Sequence, residues 1–254
     1  MFKETLIDEF TQQAESFNAS PAMSSQDTLQ SLLDMLPLAA DQRWLDVACG
    51  TGLVTRAMAP KVGHVTGVDV TPAMLDLARA EAEQAGMANV EFRLGDAGAL
   101  DLPDDSFDGA LCRFSFHHMP VPFRVLREMA RVVRPGGLVV VSDHVSDAQT
   151  DLAAWHEEIE RLRDPSHWDC LTVSRRRAMG QALGLEMVDE RFQPNLLDWE
   201  DWIARGTTGS ANRALIDAAL AERPDGTPTF GPTADGQLRM LIHITVWRKP
   251  ILSS

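Results

Sequence analysis

The sequence predicts an α/β protein with a doubly wound, mostly parallel sheet of seven strands, the last of them antiparallel. Short apolar runs rich in Val, Leu and Phe alternate with longer amphipathic stretches, and glycines and prolines separate the two kinds of segment. This alternation favours right-handed crossovers and a parallel sheet covered by helices on both faces. Ligands of such sheets bind at the carboxyl ends of the strands, where the strand order reverses.

Five apolar runs are predicted as the parallel strands: residues 44–48, 64–70, 90–94, 107–112 and 138–142. Helices are predicted between them at residues 52–59, 72–86 and 120–133. Pro72 is typical of a helix start, whereas Gly86 and the Pro-Gly-Gly sequence at 135–137 are typical of helix ends. Residues 185–192 and 238–248 are predicted as two further strands, the last with the alternation of an antiparallel strand.

The chain is predicted to form a single domain, whose core comprises about residues 40–192 and 238–248. An N-terminal helical cap is expected over residues 1–39. Residues 193–237 form a long insertion before the last strand, with several Gly, Pro and Thr residues. Connections of this length are uncommon unless they are functional, so we expect the insertion to cap a site.

Composition and charge narrow the classes of function. The chain has 254 residues and a formal net charge of −14 at pH 7, which disfavours nucleic acids and anionic membrane surfaces as partners. Cys49, Cys112 and Cys170 have neither metal-binding nor redox-motif spacing. The N-terminal sequence has charges where a signal peptide needs an apolar core, and no apolar run reaches membrane-spanning length. We therefore expect a soluble cytoplasmic protein with no metal, no nucleic acid and no membrane partner.

The sequence DVACGTG at residues 46–52 joins the end of the first predicted strand, Asp46, to a glycine-rich turn. A turn from a strand into a helix needs at most one glycine. Gly50 and Gly52, together with the small Ala48, therefore indicate that a ligand comes very close to the backbone.

Acids also end the next two predicted strands. Asp69 ends the second strand, about 20 residues after the glycine-rich turn, where an acid can bind both hydroxyls of a ribose. Asp96 ends the third strand and is followed by Ala97. A carboxylate there can accept from an adenine amino group while the backbone N–H of the next residue binds the ring edge. The turn and the two acids in this order predict a nucleoside site.

Four segments, DVACGTG, GVDVTPAML, GDAGALDLPDDSFD and RPGG, resemble the ordered motifs of class I S-adenosylmethionine-dependent methyltransferases, in the ubiquinone/menaquinone C-methylase-like subgroup. The resemblance covers about residues 40–145. Beyond it, CRFSFHHMP and RLRDPSHW are similar to a bacterial group of methyltransferases of the YcgJ type. The resemblance implies a Rossmann-like fold, S-adenosyl-L-methionine as the cofactor, and methyl transfer to a small-molecule acceptor through an O, N or C nucleophile.

The matched motifs also imply roles for individual residues. Ala48, Gly50 and Gly52 would form the loop at the methionine portion of the cofactor, with Ala48 in place of the family's usual first glycine. Asp69 would bind the ribose. The full set predicted to bind the cofactor is Asp46, Ala48, Gly50, Gly52, Asp69, Val70, Met74, Asp96, Ala97 and Arg113.

Two other functions are weighed against methyl transfer. A nicotinamide dehydrogenase has a similar sheet, but Thr55 stands where a GxGxxG motif needs its last glycine. The chain also contains no tyrosine to supply the catalytic acid of the short-chain dehydrogenases. The other alternative is a regulatory protein that binds S-adenosylmethionine without catalysis, and an intact nucleoside site with a long cap argues against it.

Methyl transfer by in-line displacement mainly requires alignment of the nucleophile, the methyl group and the sulfur, together with exclusion of water. A base is needed only where the acceptor carries a proton that must leave. The loop after the fourth predicted strand holds His117 and His118, and histidine titrates near neutral pH. We predict His118 as the base, and capping or loop packing is the alternative for both histidines.

The predicted acceptor pocket draws on distant segments, through Phe17, His117, Arg163, His167 and Trp202. Phe17 stands where this family often has a tyrosine, so a contact there is apolar. A solvated Arg163–Asp164 pair and core packing of Trp202 are equal alternatives. Arg175–Arg177 are predicted to form the solvated face of a helix. A monomer or a homodimer is expected.

Overall fold

The computed structural model describes residues 2–19 and 26–251. Within these ranges the chain forms nine α-helices and eight strands. The helices are α1 (Phe2–Ala19), α2 (Gln26–Leu33), α3 (Leu53–Met58), α4 (Pro72–Gln84), α5 (Pro122–Val132), α6 (Thr150–Arg163), α7 (Val173–Ala182), α8 (Trp199–Arg205) and α9 (Arg213–Ala221). The strands are β1 (Arg43–Val47), β2 (His64–Asp69), β3 (Val90–Leu94), β4 (Phe107–Arg113), β5 (Val133–His144), β6 (Glu186–Asp198), β7 (Phe230–Pro232) and β8 (Gln237–Arg248). Two short 3₁₀ helices lie at Ala59–Lys61 and Phe116–His118.

The eight strands of the described ranges belong to one sheet with the order β3-β2-β1-β4-β5-β8-β6, and β7 pairs with β8 beside this path. Strands β1 to β5 are parallel to one another, and β8 runs antiparallel between β5 and β6. The direction of winding reverses at β1, which lies between β2 and β4. The predicted doubly wound, mostly parallel α/β fold is therefore confirmed, and the short β7 is an addition to its seven predicted strands.

The central strands are apolar because helices cover both of their faces. β1 is buried from Trp44 to Val47, and β5 is buried from Gly137 to His144. Earlier in β5, Arg134 and Pro135 are exposed. One face packs against α5, and the other packs against α2 and α3. The polar side chains that border this core lie where the strands end, at the carboxyl edge of the sheet.

Two strands are longer than predicted. β5 begins at Val133, which pairs with Phe107 across a register shift, rather than near residue 138. β6 does not stop near residue 192, because its backbone stays paired with β8 until Asp198 meets Gln237. The first residues of the predicted insertion at 193–237 therefore belong to the sheet.

The rest of the insertion packs against α6 through an apolar cluster. Trp155 of α6 donates from Nε1 to the carbonyl oxygen of Ala219 in α9 at 2.7 Å, and Trp202 of α8 is fully buried in the same cluster. The members of this cluster are Trp155, Ile159, Leu197, Trp202, Ile203, Ile216, Ala219, Phe230, Leu238 and Met240. The insertion thus packs into a shared apolar cluster with α6 and β8.

Helix α1 joins the sheet edge to this cap. Lys3 pairs with Asp96 after β3 at 2.9 Å, and the carboxylate of Glu9 accepts from the backbone N–H of Thr207 at 3.1 Å. The predicted N-terminal cap is therefore tied to both halves of the molecule. Within the described ranges, no helix has the length and apolar character needed to cross a membrane.

The prediction of a solvated face at Arg175–Arg177 is wrong at its centre. Arg176 is buried, and its guanidinium donates to the carbonyl oxygens of Asp143 and His144 at the end of β5. The same guanidinium donates to the carbonyl oxygen of His243 in β8, so an arginine from α7 connects the paired strands β5 and β8.

Candidate active site

The glycine-rich turn after β1 has three residues in the left-handed region: Ala48 (φ 55°), Gly50 (φ 52°) and Gly52 (φ 74°). A Cβ atom added to Gly50 would meet no atom within 4 Å, so this glycine borders open space. A Cβ added to Gly52 would lie 2.8 Å from the Phe92 ring of β3. Gly50 therefore fits the predicted role beside a ligand.

The prediction that Gly52 contacts the cofactor is not supported, because packing accounts for this glycine. Its missing side chain lets the turn lie against Phe92 and Ala78, and Gly52 does not line the cavity described below. Ala48 keeps a side chain at a positive φ, which costs about 1–2 kcal/mol for a residue other than glycine.

Asp69 at the end of β2 holds the turn in place. Its Oδ2 accepts from the N–H of Gly50 at 2.8 Å, and its Oδ1 accepts from the N–H of Thr71 at 2.8 Å. Burial raises the pKa of Asp69, and these N–H donors oppose the rise. Each carboxylate oxygen can accept more than one hydrogen bond, so both remain able to accept from the two hydroxyls of a ribose.

Asp46 at the end of β1 supports the start of α3. Its Oδ2 accepts from both the N–H and the hydroxyl of Thr55, at 3.0 and 2.7 Å. Thr55 is thus the helix-side partner of this acid. Burial raises the pKa of Asp46 to about 7, and the hydrogen bonds from Thr55 limit the rise.

The predicted adenine-binding acid lies further out. Asp96 accepts from the Nζ of Lys3 at 2.9 Å through Oδ2, and from the N–H of Gly98 at 2.8 Å through Oδ1. The pair with Lys3 lowers the pKa of Asp96, so this acid is ionised at neutral pH. Its side chain is half exposed, which suits the open rim of a nucleoside site.

These elements surround a cavity of about 420 Å³ at the carboxyl ends of β1, β2 and β4. Its volume lies within the range of about 300–1,000 Å³ that is typical of small-molecule sites. The predicted residues that line it are Asp46, Ala48, Gly50, Asp69, Val70, Met74, Asp96, Ala97, Arg113 and His118. The structure thus brings together nine of the ten residues predicted for the cofactor, together with the predicted base.

Arg113 closes the inner side of this cavity. Its guanidinium lies 4.2 Å from the centre of the Phe114 ring and donates to the Thr28 hydroxyl at 3.1 Å. Burial lowers the pKa of Arg113 to about 10, whereas Asp46 and Asp143 raise it. The side chain therefore stays charged at neutral pH.

A second cavity of about 70 Å³ lies between the first cavity and the cap. Phe10, Phe114 and His118 line both cavities. Of the predicted acceptor-pocket residues, His117, Arg163 and Trp202 line the second cavity. Arg163 stacks over the Trp202 ring, 4.8 Å from its centre, so Trp202 is both part of the cap core and part of this wall.

The other two predicted acceptor-pocket residues are not part of either wall as described. His167 is buried away from both cavities, and its Nε2 lies 2.7 Å from Oε2 of Glu157. Phe17 lies in α1, but its side chain is outside the described part of the structure. The predicted solvated pair of Arg163 and Asp164 is also wrong, because both side chains are buried.

His118 sits where the two cavities meet. Its Nδ1 lies 3.0 Å from the carbonyl oxygen of Ser166 and 3.1 Å from the Ser166 hydroxyl. That hydroxyl in turn donates to Asp164 at 2.6 Å. Burial lowers the pKa of His118, so the ring is neutral at pH 7. Donation from Nδ1 to the Ser166 carbonyl leaves a lone pair on Nε2, as a base requires.

Sequence reasoning missed four residues that line the second cavity or hold its walls. Phe10 lies against the edge of the His118 ring, with ring centres 4.9 Å apart. His144 and Glu160 line the second cavity, and Asp143 binds His117. The pair at 143–144 ends β5, so the rule applied to Asp46, Asp69 and Asp96 could have found it.

Comparisons with known proteins find methyltransferases. Residues 45–141 match the family model described as a methyltransferase domain. The chain is 32% identical over 216 residues to the uncharacterized methyltransferase YcgJ of Bacillus subtilis, covering 85% of each chain. The crystal structure of YcgJ matches with a TM-score of 0.80 and 28% identity, over 89% of this chain and 99% of that one. A putative methyltransferase from Bacillus halodurans also matches, with a TM-score of 0.80 and 26% identity, over 89% and 100% of the two chains.

Proposed function

Because this chain belongs to the class I S-adenosylmethionine-dependent methyltransferases, we propose that it methylates a small molecule on an O, N or C nucleophile that lies beside the second cavity. The dehydrogenase alternative is set aside by this membership. The observation that carries the proposal is that Phe10, Phe114 and His118 line both cavities. An acceptor whose nucleophile lies beside these residues would face the contents of the larger cavity.

The residues around the larger cavity fit S-adenosylmethionine. Gly50 leaves room beside the turn, Asp69 offers two carboxylate oxygens, and Met74 adds an apolar wall. When bound, the cofactor supplies a methyl group already activated by its positive sulfur. Asp69 would hold the ribose, and Asp96 with Ala97 would hold the adenine. The turn at 48–52 would orient the methionine portion.

On the acceptor side, the chain's task is to position the nucleophile and exclude water. Phe10 and Phe114 form apolar walls at the junction, and Trp202 closes the far side under the cap. The neutral ring of His118 would take a proton from an acceptor hydroxyl or amine through Nε2. A carbon nucleophile or an unprotonated amine would not need this step.

A small-molecule acceptor sets one expectation that can be tested directly. Protein incubated with S-adenosylmethionine carrying a labelled methyl group, and with a mixture of small phenols, amines and carbon acids, should release label into a small-molecule product. S-adenosylhomocysteine should form in equal amount. Label that appears only in added protein or nucleic acid would contradict the proposal. Tight cofactor binding with no transfer to any acceptor class would instead favour the regulatory alternative.

A further inference from the structure

Five of the seven histidines of the chain lie together near the second cavity, although they come from distant segments. Four of them form what we call the histidine cluster, with the acids and the thiol that surround them. The members of the histidine cluster are His117, Asp143, His144, His156, Glu157, Glu160, His167 and Cys170. All eight side chains are buried.

Three histidines of the cluster have the spacing of metal ligands. His117, His144 and His167 each offer a ring nitrogen, and these three atoms lie within 4.8 Å of one another. The ring centres of His117 and His144 are 4.2 Å apart, and those of His117 and His167 are 5.6 Å apart. At Zn–N distances of about 2.0–2.1 Å the ligand atoms of a tetrahedral site stand roughly 3.4 Å apart. Side-chain shifts of about 1 Å would therefore close the site.

A carboxylate supports each of the three rings from behind. Asp143 Oδ1 lies 2.8 Å from Nδ1 of His117 and 3.2 Å from Nδ1 of His144. Glu157 Oε2 lies 2.7 Å from Nε2 of His167. In metal centres the ligating histidine commonly gives its other nitrogen to a carboxylate, which fixes the tautomer and the ring orientation. The same arrangement here leaves the opposite nitrogen of each ring available.

Several of the available atoms have no partner. Among residues 2–19 and 26–251, Nε2 of His144, Nδ1 of His167 and Oε1 of Glu160 are buried and have no hydrogen-bond partner. Both ring nitrogens of His156 are also without one. Glu160 Oε1 lies 3.7 Å from Nε2 of His144, beyond hydrogen-bond distance. Buried polar atoms are almost always paired, so this concentration of unpaired lone pairs calls for a bound group.

The charges point to a cation. Among the residues that the structure describes, Asp143 has no ion pair with a lysine or an arginine, and its contacts are His117 and His144. Arg163 pairs with Glu160 and Asp164, and Arg161 pairs with Glu157. Asp143 also accepts from the backbone N–H groups of His117 and His144. A divalent ion bound to these imidazoles would add to the stabilisation of this buried carboxylate.

We propose that the histidine cluster binds a divalent transition metal ion, best matched by Zn²⁺, through His117, His144 and His167. Imidazole nitrogens suit zinc and its neighbours among the first-row metals. Three protein ligands leave a fourth position, and His117, His144 and Glu160 line the second cavity. The expectation of a protein without a metal, made from cysteine spacing, did not consider histidines spread over three segments.

Metal binding can be measured without methyl transfer. Protein stripped with a chelator should take up one Co²⁺ per chain, with the visible absorption of a four- or five-coordinate site, and one Zn²⁺ by elemental analysis. His144→Ala and His167→Ala should each weaken Co²⁺ binding by at least about 100-fold. Glu157→Gln removes only the supporting charge and should weaken it by about 10–100-fold. His64→Asn is the matched control, because His64 begins β2, at the opposite edge of the sheet from the histidine cluster. The Co²⁺ affinity of this variant should equal that of the wild type.

Circular dichroism and cofactor calorimetry on each variant separate loss of the site from loss of the fold. If His144→Ala does not fold, the nearly isosteric Glu157→Gln still tests the proposal. Wild-type protein that binds neither ion stoichiometrically would overturn it, as would wild-type Co²⁺ affinity in the folded variants. Either result would leave the proposed methyl transfer intact.

Discussion

The two halves of the active site differ in how the chain builds them. The cofactor half consists of consecutive strand ends: the turn at 48–52 after β1, Asp69 as the last residue of β2 and Asp96 after β3. The acceptor half draws on α1, the end of β4, α6 and the cap, from Phe10 to Trp202. Local strand–loop–helix units therefore place the cofactor residues, whereas long-range packing places the acceptor residues.

This difference separates the chemistry that a family shares from the chemistry that each member can change. The carboxyl ends of parallel strands lie at one edge of the sheet wherever the strands pair. The second cavity has walls from the insertion, and an insertion can change without disturbing β1 to β3. We expect substitutions in the two halves to have separable effects on cofactor binding and on turnover.

The largest expected effect is in the cofactor half, at Gly50. The change Gly50→Val places a branched side chain in the open space beside the turn and should abolish S-adenosylmethionine binding in calorimetry. Gly86→Val is a matched control, because Gly86 also has a positive φ (64°) and no atom within 4 Å of an added Cβ, but lies after α4. Both variants should lose about 1–2 kcal/mol of stability from backbone strain. Equal cofactor affinity in the two would refute the steric role of Gly50.

The next largest effect tests the acceptor half, through His118. The change His118→Ala should lower kcat by roughly 10²–10⁴, the usual contribution of a positioned base, for an acceptor that must lose a proton. The affinity for S-adenosylhomocysteine should change little, because the ring lies at the junction with the second cavity. Added imidazole should restore part of the turnover.

A packing role for His118 predicts a different pattern. The ring lies against Phe10 and binds Ser166, so its loss would lower the melting temperature. Turnover would then fall modestly and imidazole would not restore it. Unchanged kcat would remove His118 from the mechanism and leave alignment and water exclusion as the whole of catalysis.

The contrast between the halves also explains what the sequence could predict. The doubly wound fold, the turn and the acids Asp69 and Asp96 follow from apolar periodicity and strand-end positions. The burial of Arg176 does not, because its partners are carbonyl groups of β5 and β8, which are distant elements of the chain. The sequence also predicts that Gly52 faces the cofactor, whereas in the structure Gly52 packs against Phe92. A motif gives the position of a glycine, but it does not show which neighbouring side chain occupies the space that the missing Cβ leaves.

The histidine cluster was beyond sequence reasoning for the same reason. His117, His144 and His167 follow β4, end β5 and follow α6, so no fixed spacing connects them. The pairing of β4 with β5 brings His117 close to His144. The chain after α6 returns to the same edge of the sheet, where the N–H of Trp168 donates to the His117 carbonyl at 2.8 Å, and this return brings in His167. Only the strand-end rule, applied to residues 143–144, could have indicated part of the cluster.

A smaller effect is expected at Asp69, and it sharpens the assignment of the cofactor half. The change Asp69→Ala should weaken S-adenosylhomocysteine binding by about 2–4 kcal/mol, through the loss of charge-assisted hydrogen bonds. Part of this loss comes from the turn, because Asp69 also accepts from Gly50 and Thr71.

An analogue of S-adenosylhomocysteine that lacks both ribose hydroxyls separates the loss of ribose binding from the loss of support for the turn. Wild-type protein should bind the analogue more weakly than the natural ligand, and Asp69→Ala should bind the two almost equally. If the variant still prefers the natural ligand as strongly as the wild type does, Asp69 supports the turn and does not bind the ribose.

The smallest effect concerns Asp46 and the dependence of cofactor affinity on pH. Burial raises the pKa of Asp46 to about 7, with Asp69 adding to the rise and Arg113 opposing it, so the free protein holds a proton there below that pH. We expect the ammonium group of the methionine portion to pair with the ionised carboxylate, which requires this proton to leave. Affinity for S-adenosylhomocysteine should therefore increase by about five- to tenfold from pH 6 to pH 7.5 and then level off.

Asp46→Asn should abolish the increase, and methylthioadenosine, which lacks the amino acid, should show none in the wild type. Calorimetry that finds the same increase for methylthioadenosine would assign the proton to another group, with Asp69 the first candidate because burial raises its pKa as well.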